Sequence, residues 1–148
     1  MVTPLIPADF GAAADLLRAS IHGGGHTTAD GLRADHTRPH WVGLVWRTTA
    51  GVIGAVTGHC VLDEAEIHEV AVHFNHRRNG VATLLVDAFL REAHRRGATV
   101  CRLEVRRTNK SAIAFYRHRG FEQSGLRAAY YADGEDALVL QRPMELAP

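Results

Sequence analysis

Glutamate and tyrosine can move protons, and the stretch LEVRRTNKSAIAFYRHRGF, Leu103 to Phe121, holds one of each where packing alone would favour an apolar residue. Glu104 stands between Leu103 and Val105 in a β-rich run, so alternation points it away from both. On a sheet covered on both faces it would be partly buried with a raised pKa, which suits a general base. The competing reading is an ion pair with Arg102 or Arg106, its same-face neighbours two residues away. Tyr116 follows Ala112 by four residues in a helix that opens after Asn109, so the two share a face. A small residue beneath a phenol leaves room for a narrow ligand. Equally, the ring packs in the core and puts its hydroxyl at the edge.

A second constellation is RRNGVATLL. Arg77, Arg78, Asn79, Gly80, Val81 and Ala82 form R-x-x-G-x-A opening directly into a helix. A turn with Asn79 and Gly80 at a helix start turns backbone N–H groups outward where the helix dipole is positive, an arrangement that holds phosphate. A plain β-to-α turn would read the same way. Neither G-x-G-x-x-G nor G-x-x-x-x-G-K-[ST] occurs, so no dinucleotide or nucleoside triphosphate fold is indicated.

Ten histidines invite a metal. His22 and His26, and His36 and His40, are four apart, but glycines interrupt the first pair and Pro39 the second. No metal is expected, and the histidines read as solvated or capping groups. Cys60 and Cys101 lie in apolar runs without metal-ligand spacing and read as buried free thiols. The net charge of +1 conceals a basic block: from Arg77 to Arg119 there are eleven Arg or Lys against three acids. That excess suits a polyanionic ligand, although a solvated helix face is the plainer reading.

The elements that must position these residues follow from periodicity. Met1 to Ile21 reads as a short strand, a Pro-Ala-Asp start and a helix with Phe10, Ala13, Leu16, Leu17 and Ile21 on one face. The Gly- and His-rich segment from His22 to His40 reads as a binding loop with room for a turn or two of helix. WVGLVWR and VIGAVTGHCVL form a hairpin across TTAG, and AEIHEVAV is a third strand. Val81 to Arg96 is an amphipathic helix stopped by Gly97, TVCRLEV a strand, SAIAFYRHR a helix stopped by Gly120, and ALVLQRPM a last strand. The order predicts a mixed α/β fold, antiparallel first and crossing over later, as one domain over residues 1–148. Hydrophobic content of 46% and charged content of 22% are those of a globular protein. No apolar run nears the ~20 residues of a membrane span, and MVTPLIPADF lacks the make-up of a signal peptide, so a cytoplasmic location is expected.

The joint order is specific: VAV, then R-x-x-G-x-A and a helix, then LEVR, Asn109, Ala112, Tyr116 and GF. It resembles the GNAT superfamily of acetyl-CoA-dependent N-acetyltransferases, and more narrowly looks like the RimI-type ribosomal-protein alanine N-acetyltransferases. With these it shares LEVR-x-x-N-x-x-A-I-x-x-Y-x-x-x-GF, and also Arg127, the Tyr130–Tyr131 pair and the EDA strand start at Glu135 to Ala137. The resemblance covers about residues 52–144. It implies a GNAT fold, a central mixed, mostly antiparallel sheet with helices on both faces. It implies backbone contacts from Val70, Ala71 and Val72 to the pantetheine arm of acetyl-CoA, pyrophosphate held by residues 77–82, and Asn109 near the reacting end. Glu104 would accept a proton and Tyr116 donate one. Other members use a carboxylate near Glu66, so Glu104 ranks first as base, Glu66 second and Glu69 third. The RimI-type Pro-Trp-Ser-like stretch is replaced here by the Gly- and His-rich loop.

The function expected is acetyl transfer to an alanine-like protein N-terminus, such as that of a ribosomal protein, by a monomer or homodimer. Tyr130 and Tyr131 would flank the peptide, and Asp63, Glu64, Glu66 and Glu69 would favour a cationic acceptor. The alternative is a small-molecule or antibiotic amine. A nucleic-acid binder is not expected, since no reading helix or aromatic RNA-binding motif accompanies the basic block. An acyl-CoA sensor without catalysis would tolerate replacement of Glu104.

Overall fold

The computed structural model describes residues 1–22, 26–77 and 79–144. Seven strands form one sheet: β1 (Val2–Pro4), β2 (Trp41–Thr48), β3 (Gly51–Val61), β4 (Glu64–Val72), β5 (Val100–Arg106), β6 (Glu122–Arg127) and β7 (Ala137–Pro143), in the order β1-β2-β3-β4-β5-β7-β6. Every neighbouring pair is antiparallel except β4 and β5. That parallel pair is joined by α3 (Val81–Arg95), as a crossover requires. The remaining helices are α1 (Phe10–Leu17), α2 (Ala29–His36) and α4 (Lys110–His118).

Helices cover both faces, and each face has its own core. On one, Leu85 and Phe89 of α3 and Tyr116 of α4 pack with Leu103 and Leu140, all fully buried. On the other, Phe10, Ala13 and Leu17 of α1 and Leu32 of α2 meet Val45, Ala55 and Ala71. Asp9 begins α1 beneath this second layer. Its carboxylate accepts from the Ile6 N–H at 3.0 Å and takes both Arg47 guanidinium nitrogens at 2.8 Å.

The first helix stops four residues short of the expected Ile21. Continuation would keep the backbone of residues 20–22 within the helix, but β4 offers stronger tertiary partners. The Ile21 N–H donates to the Val70 carbonyl at 2.8 Å, and Ser20 Oγ donates to the same oxygen at 3.3 Å. Between Thr28, whose Oγ1 caps Gly31 N–H, and Thr37, the loop holds a two-turn helix, α2.

Two irregularities shape the centre of the sheet. The β3–β4 register shifts after Thr57, so Gly58 faces Ile67 while Thr57 faces Glu69, and His68 is the extra residue of a bulge. Gly58 is required there: a Cβ would lie 2.1 Å from the Glu66 carbonyl oxygen and 2.6 Å from the Phe89 ring. Beyond the bulge the sheet divides. β4 and β5 pair only from Glu64↔Val100 to Ile67↔Leu103, and further along they part.

Candidate active site

The split between β4 and β5 gathers most of the residues singled out from sequence. On its α3 side lies a cleft of about 320 Å³ lined by Val72, Arg77, Gly80, Val81 and Ala82, with Ile21 from the loop and Ser111, Ala112 and Phe115 from α4. Gly80 precedes α3 with φ of +78°, a left-handed conformation open to glycine. Among the described residues no side chain caps this helix, whose first backbone bond is Leu84 N–H to the Gly80 carbonyl. The N–H groups of the first turn are therefore available to an anion. Arg77 is fixed beside them, its Nε donating to the Val72 carbonyl at 3.2 Å. Asn79 is exposed at the same turn, and Arg78 lies outside the described residues. The carbonyls of Val70 and Val72 both face the split, whereas alternation along the ladder turns the peptide groups of Ala71 towards Ala55 on β3.

Asn109 works within the fold. Its Oδ1 accepts from Ala112 N–H at 3.2 Å, capping α4, and its Nδ2 donates to the Ile21 carbonyl at 2.6 Å. Ile21 thus bridges β4 and α4 across the split.

Behind this bridge is Tyr116, fully buried, its ring edge-on to Phe115, Phe121 and His22. The hydroxyl is not at a solvent edge; it is hydrogen-bonded to His22 Nε2. His22, expected among solvated histidines, is 5% exposed. Burial pushes its imidazole down to about 4, so the ring is neutral near pH 7. A neutral ring has one N–H; with that proton on Nδ1, Nε2 accepts from the Tyr116 hydroxyl. Burial also raises the Tyr116 phenol well above its usual value. Sequence alone could not find His22, which is 94 residues from its partner and sits at the edge of a glycine run.

Glu104 faces the opposite side of the sheet. Its carboxylate is paired with Arg127 Nε at 2.8 Å and has 16% exposure. The same-face arginines considered as its partners are engaged elsewhere: Arg102 with Glu64 at 2.6 Å, Arg106 with Asp133 at 2.8 Å and Glu135 at 3.0 Å. The Glu104 carboxylate beside the Tyr130 hydroxyl raises that phenol to about 12. Tyr131 stands perpendicular to Tyr130 and stacks under the Arg106 guanidinium at 4.1 Å. Glu104, Arg127, Tyr130 and Tyr131 therefore form one connected group.

Among the other acids, Glu66 lies on this face near Glu104, and burial raises its pKa. Glu69 accepts from Thr27 Oγ1 at 2.8 Å, which ties down the loop, and Glu64 is spent on Arg102. Cys60 and Cys101 are free and buried, and burial holds Cys101 up at about 12, unsuited to a nucleophile.

Residues 13–121 match the acetyltransferase (GNAT) family, and the chain belongs to that family. Over 89 residues it is 37% identical to the [ribosomal protein bS18]-alanine N-acetyltransferase of Escherichia coli K12; the match spans 58% of this chain and 60% of that protein's length. It is likewise 37% identical over 82 residues to an N-alpha-acetyltransferase of Saccharolobus solfataricus, covering 55% of this chain and 49% of the relative. The crystal structure of the ribosomal-protein-S18-alanine N-acetyltransferase from Escherichia coli superposes with a TM-score of 0.85 at 26% identity, over 100% of this chain and 96% of that one.

Proposed function

We propose that the protein is an acetyl-CoA-dependent N-α-acetyltransferase acting on an alanine-like protein N-terminus, such as that of a ribosomal protein. The observation that carries this reading is the split itself. An uncapped helix start and Arg77 lie on one side of it, the carboxylates of Glu66 and Glu104 on the other. The residues fit the coenzyme: the α3 N-terminus suits a pyrophosphate, Ala82 allows close approach, and the Val70 and Val72 peptide groups suit an extended amide-bearing arm. The similarity to the two N-terminal acetyltransferases supports an α-amine acceptor.

Acetyl-CoA supplies a thioester whose carbonyl carbon is attacked and whose thiolate leaves. A peptide α-amine titrates near ~8, so near neutrality much of it is protonated. Glu104, acting through a water, takes that proton, and Arg127 and Tyr130 hold its carboxylate in place. Tyr130 and Tyr131 line the approach of the peptide, and Glu66 favours its positive charge. A backbone N–H of Val70 or Val72 in the split meets the developing oxyanion. Tyr116 donates the proton that ends the reaction, and its hydroxyl must turn from His22 towards the cleft to do so. No covalent enzyme intermediate is needed.

The test is mass spectrometry with acetyl-CoA and two peptides, one lysine-free with a free N-terminal alanine, the other N-blocked with an internal lysine. Mass gain on the first alone is expected. If neither reacts while acetyl-CoA still binds, the protein acceptor is refuted and small amines replace it.

A further inference from the structure

We propose that His59, Glu66 and His68 form a binding site for a divalent transition metal of the zinc class. The site lies on the open face of the β3–β4 hairpin, apart from the coenzyme cleft. Strand geometry assembles it. His59 on β3 is directly opposite Glu66 on β4, and His68 is two residues further along β4, on the same face as Glu66. The bulge leaves His68 without a cross-strand partner, and its ring lies against His59.

One donor atom from each residue lies within 4.8 Å of the others. His59 Nδ1 and His68 Nε2 are 2.7 Å apart; Glu66 Oε2 is 3.6 Å from the other nitrogen of the same ring, His59 Nε2, so the carboxylate must swing towards the histidine pair to share one ion with it. All three residues are partly or fully accessible, so an ion can reach them. Among the described residues, none of the three forms an ion pair with an Arg or Lys. Tetrahedral zinc with Zn–N bonds of ~2.0–2.1 Å places two imidazole nitrogens ~3.3 Å apart. The histidine pair must therefore open by about 0.6 Å, within reach of side-chain rotation at exposed positions. The proton now shared between the rings would move to a far nitrogen, leaving two lone pairs for the ion. Two imidazoles and a carboxylate suit zinc, copper or nickel rather than calcium or magnesium, and leave a fourth position for water.

The consequence for catalysis rests on the function proposed above. Glu66 faces Glu104 across the mouth of the split, so a bound dication would replace an attractive carboxylate with net positive charge where a cationic amine enters. Zinc should then raise the peptide KM and leave acetyl-CoA binding unchanged.

Calorimetry with zinc chloride and metal-free protein, in a non-chelating buffer, tests the site. One equivalent should bind saturably. His59→Ala and His68→Ala should each weaken it at least ~10-fold, no less than loss of an outer-shell partner costs. Both side chains are surface groups on a paired hairpin, and an unchanged melting temperature would show that the variants fold. A copper(II) spectrum with coupling to two imidazole nitrogens in the parent protein, and to one in His68→Ala, is the independent readout. Absence of saturable binding, or binding that survives both substitutions, overturns the site. Zinc binding at these histidines with no change in peptide KM would leave the metal site standing and refute the placement of the acceptor beside Glu66.

Discussion

Replacing Tyr116 with Phe separates the structural role of the phenol from its chemical one. The substitution removes one oxygen from a fully buried ring and leaves the surrounding Phe115, Phe121 and Leu103 contacts in place. What it strands is His22 Nε2, which the hydroxyl now satisfies in a site closed to water. A buried acceptor left without its partner costs ~1–3 kcal/mol. For a chain of this size a 2 kcal/mol loss lowers the melting temperature by roughly 4–8 °C. His22→Leu strands the phenol instead and should cost a similar amount. The double variant removes both members of the pair, so it should recover ~1–2 kcal/mol relative to the sum of the single changes. Urea denaturation of the four proteins measures this coupling without reference to activity. In parallel, acetyl transfer by Tyr116→Phe should fall by ~10²–10⁴ if the phenol is the acid. Full stability in Tyr116→Phe, or additivity within ~0.5 kcal/mol in the cycle, would refute the buried pair. Retained activity would refute the acid role alone.

Glu104→Gln should lower the transfer rate by ~10²–10⁴ as a lost general base, seen in single-turnover kinetics. It should also let the Tyr130 phenol fall from about 12 towards its ordinary value near 10, read by ultraviolet titration. Gly58→Ala should destabilise by ~1–3 kcal/mol or more, because the new Cβ meets the Glu66 carbonyl and the Phe89 ring and neither can yield without moving the bulge. Equilibrium denaturation checks it, and a neutral result would argue against the β3–β4 register. Asp9→Asn should cost about 2–3 kcal/mol near neutrality, less than a fully buried pair because Arg47 is partly hydrated. Arg47 holds the Asp9 carboxyl below its ordinary 3.8 in the fold, so this stabilisation is present above that pH and lost as pH falls through the lowered value. The variant should therefore show a flatter acid limb in its stability profile than the parent.

What could be read from sequence was what local chemistry decides. The α3 and α4 boundaries follow from apolar spacing, from Gly80 and Asn109 at their starts and from Gly97 and Gly120 beyond their ends, all of which act within a turn. The coenzyme turn was legible for the same reason, since the residues at 77 and 79–82 lie together in the chain as they do in space. The rest of the site depends on pairings that no local pattern encodes. Glu104 was placed on the right kind of strand, but its partner is Arg127 from β6, which reaches it across the intervening β7. Helix α1 ended early because Val70, fifty residues away, competes for the Ile21 and Ser20 donors. The histidines show the difference most directly. A search at helical spacing finds His22–His26 and His36–His40, whereas the residues that converge stand at strand spacing, Glu66 and His68 two apart with His59 opposite. In a strand over AEIHEVAV, alternation puts Glu66 and His68 on one face. Only the register set by the hairpin, and so by Gly58, decides that His59 joins them. A one-residue slip would turn His59 to the α3 face, into the space filled by Phe89. The same glycine that lets the bulge form thus fixes both the opening of the split and the histidine cluster at its rim.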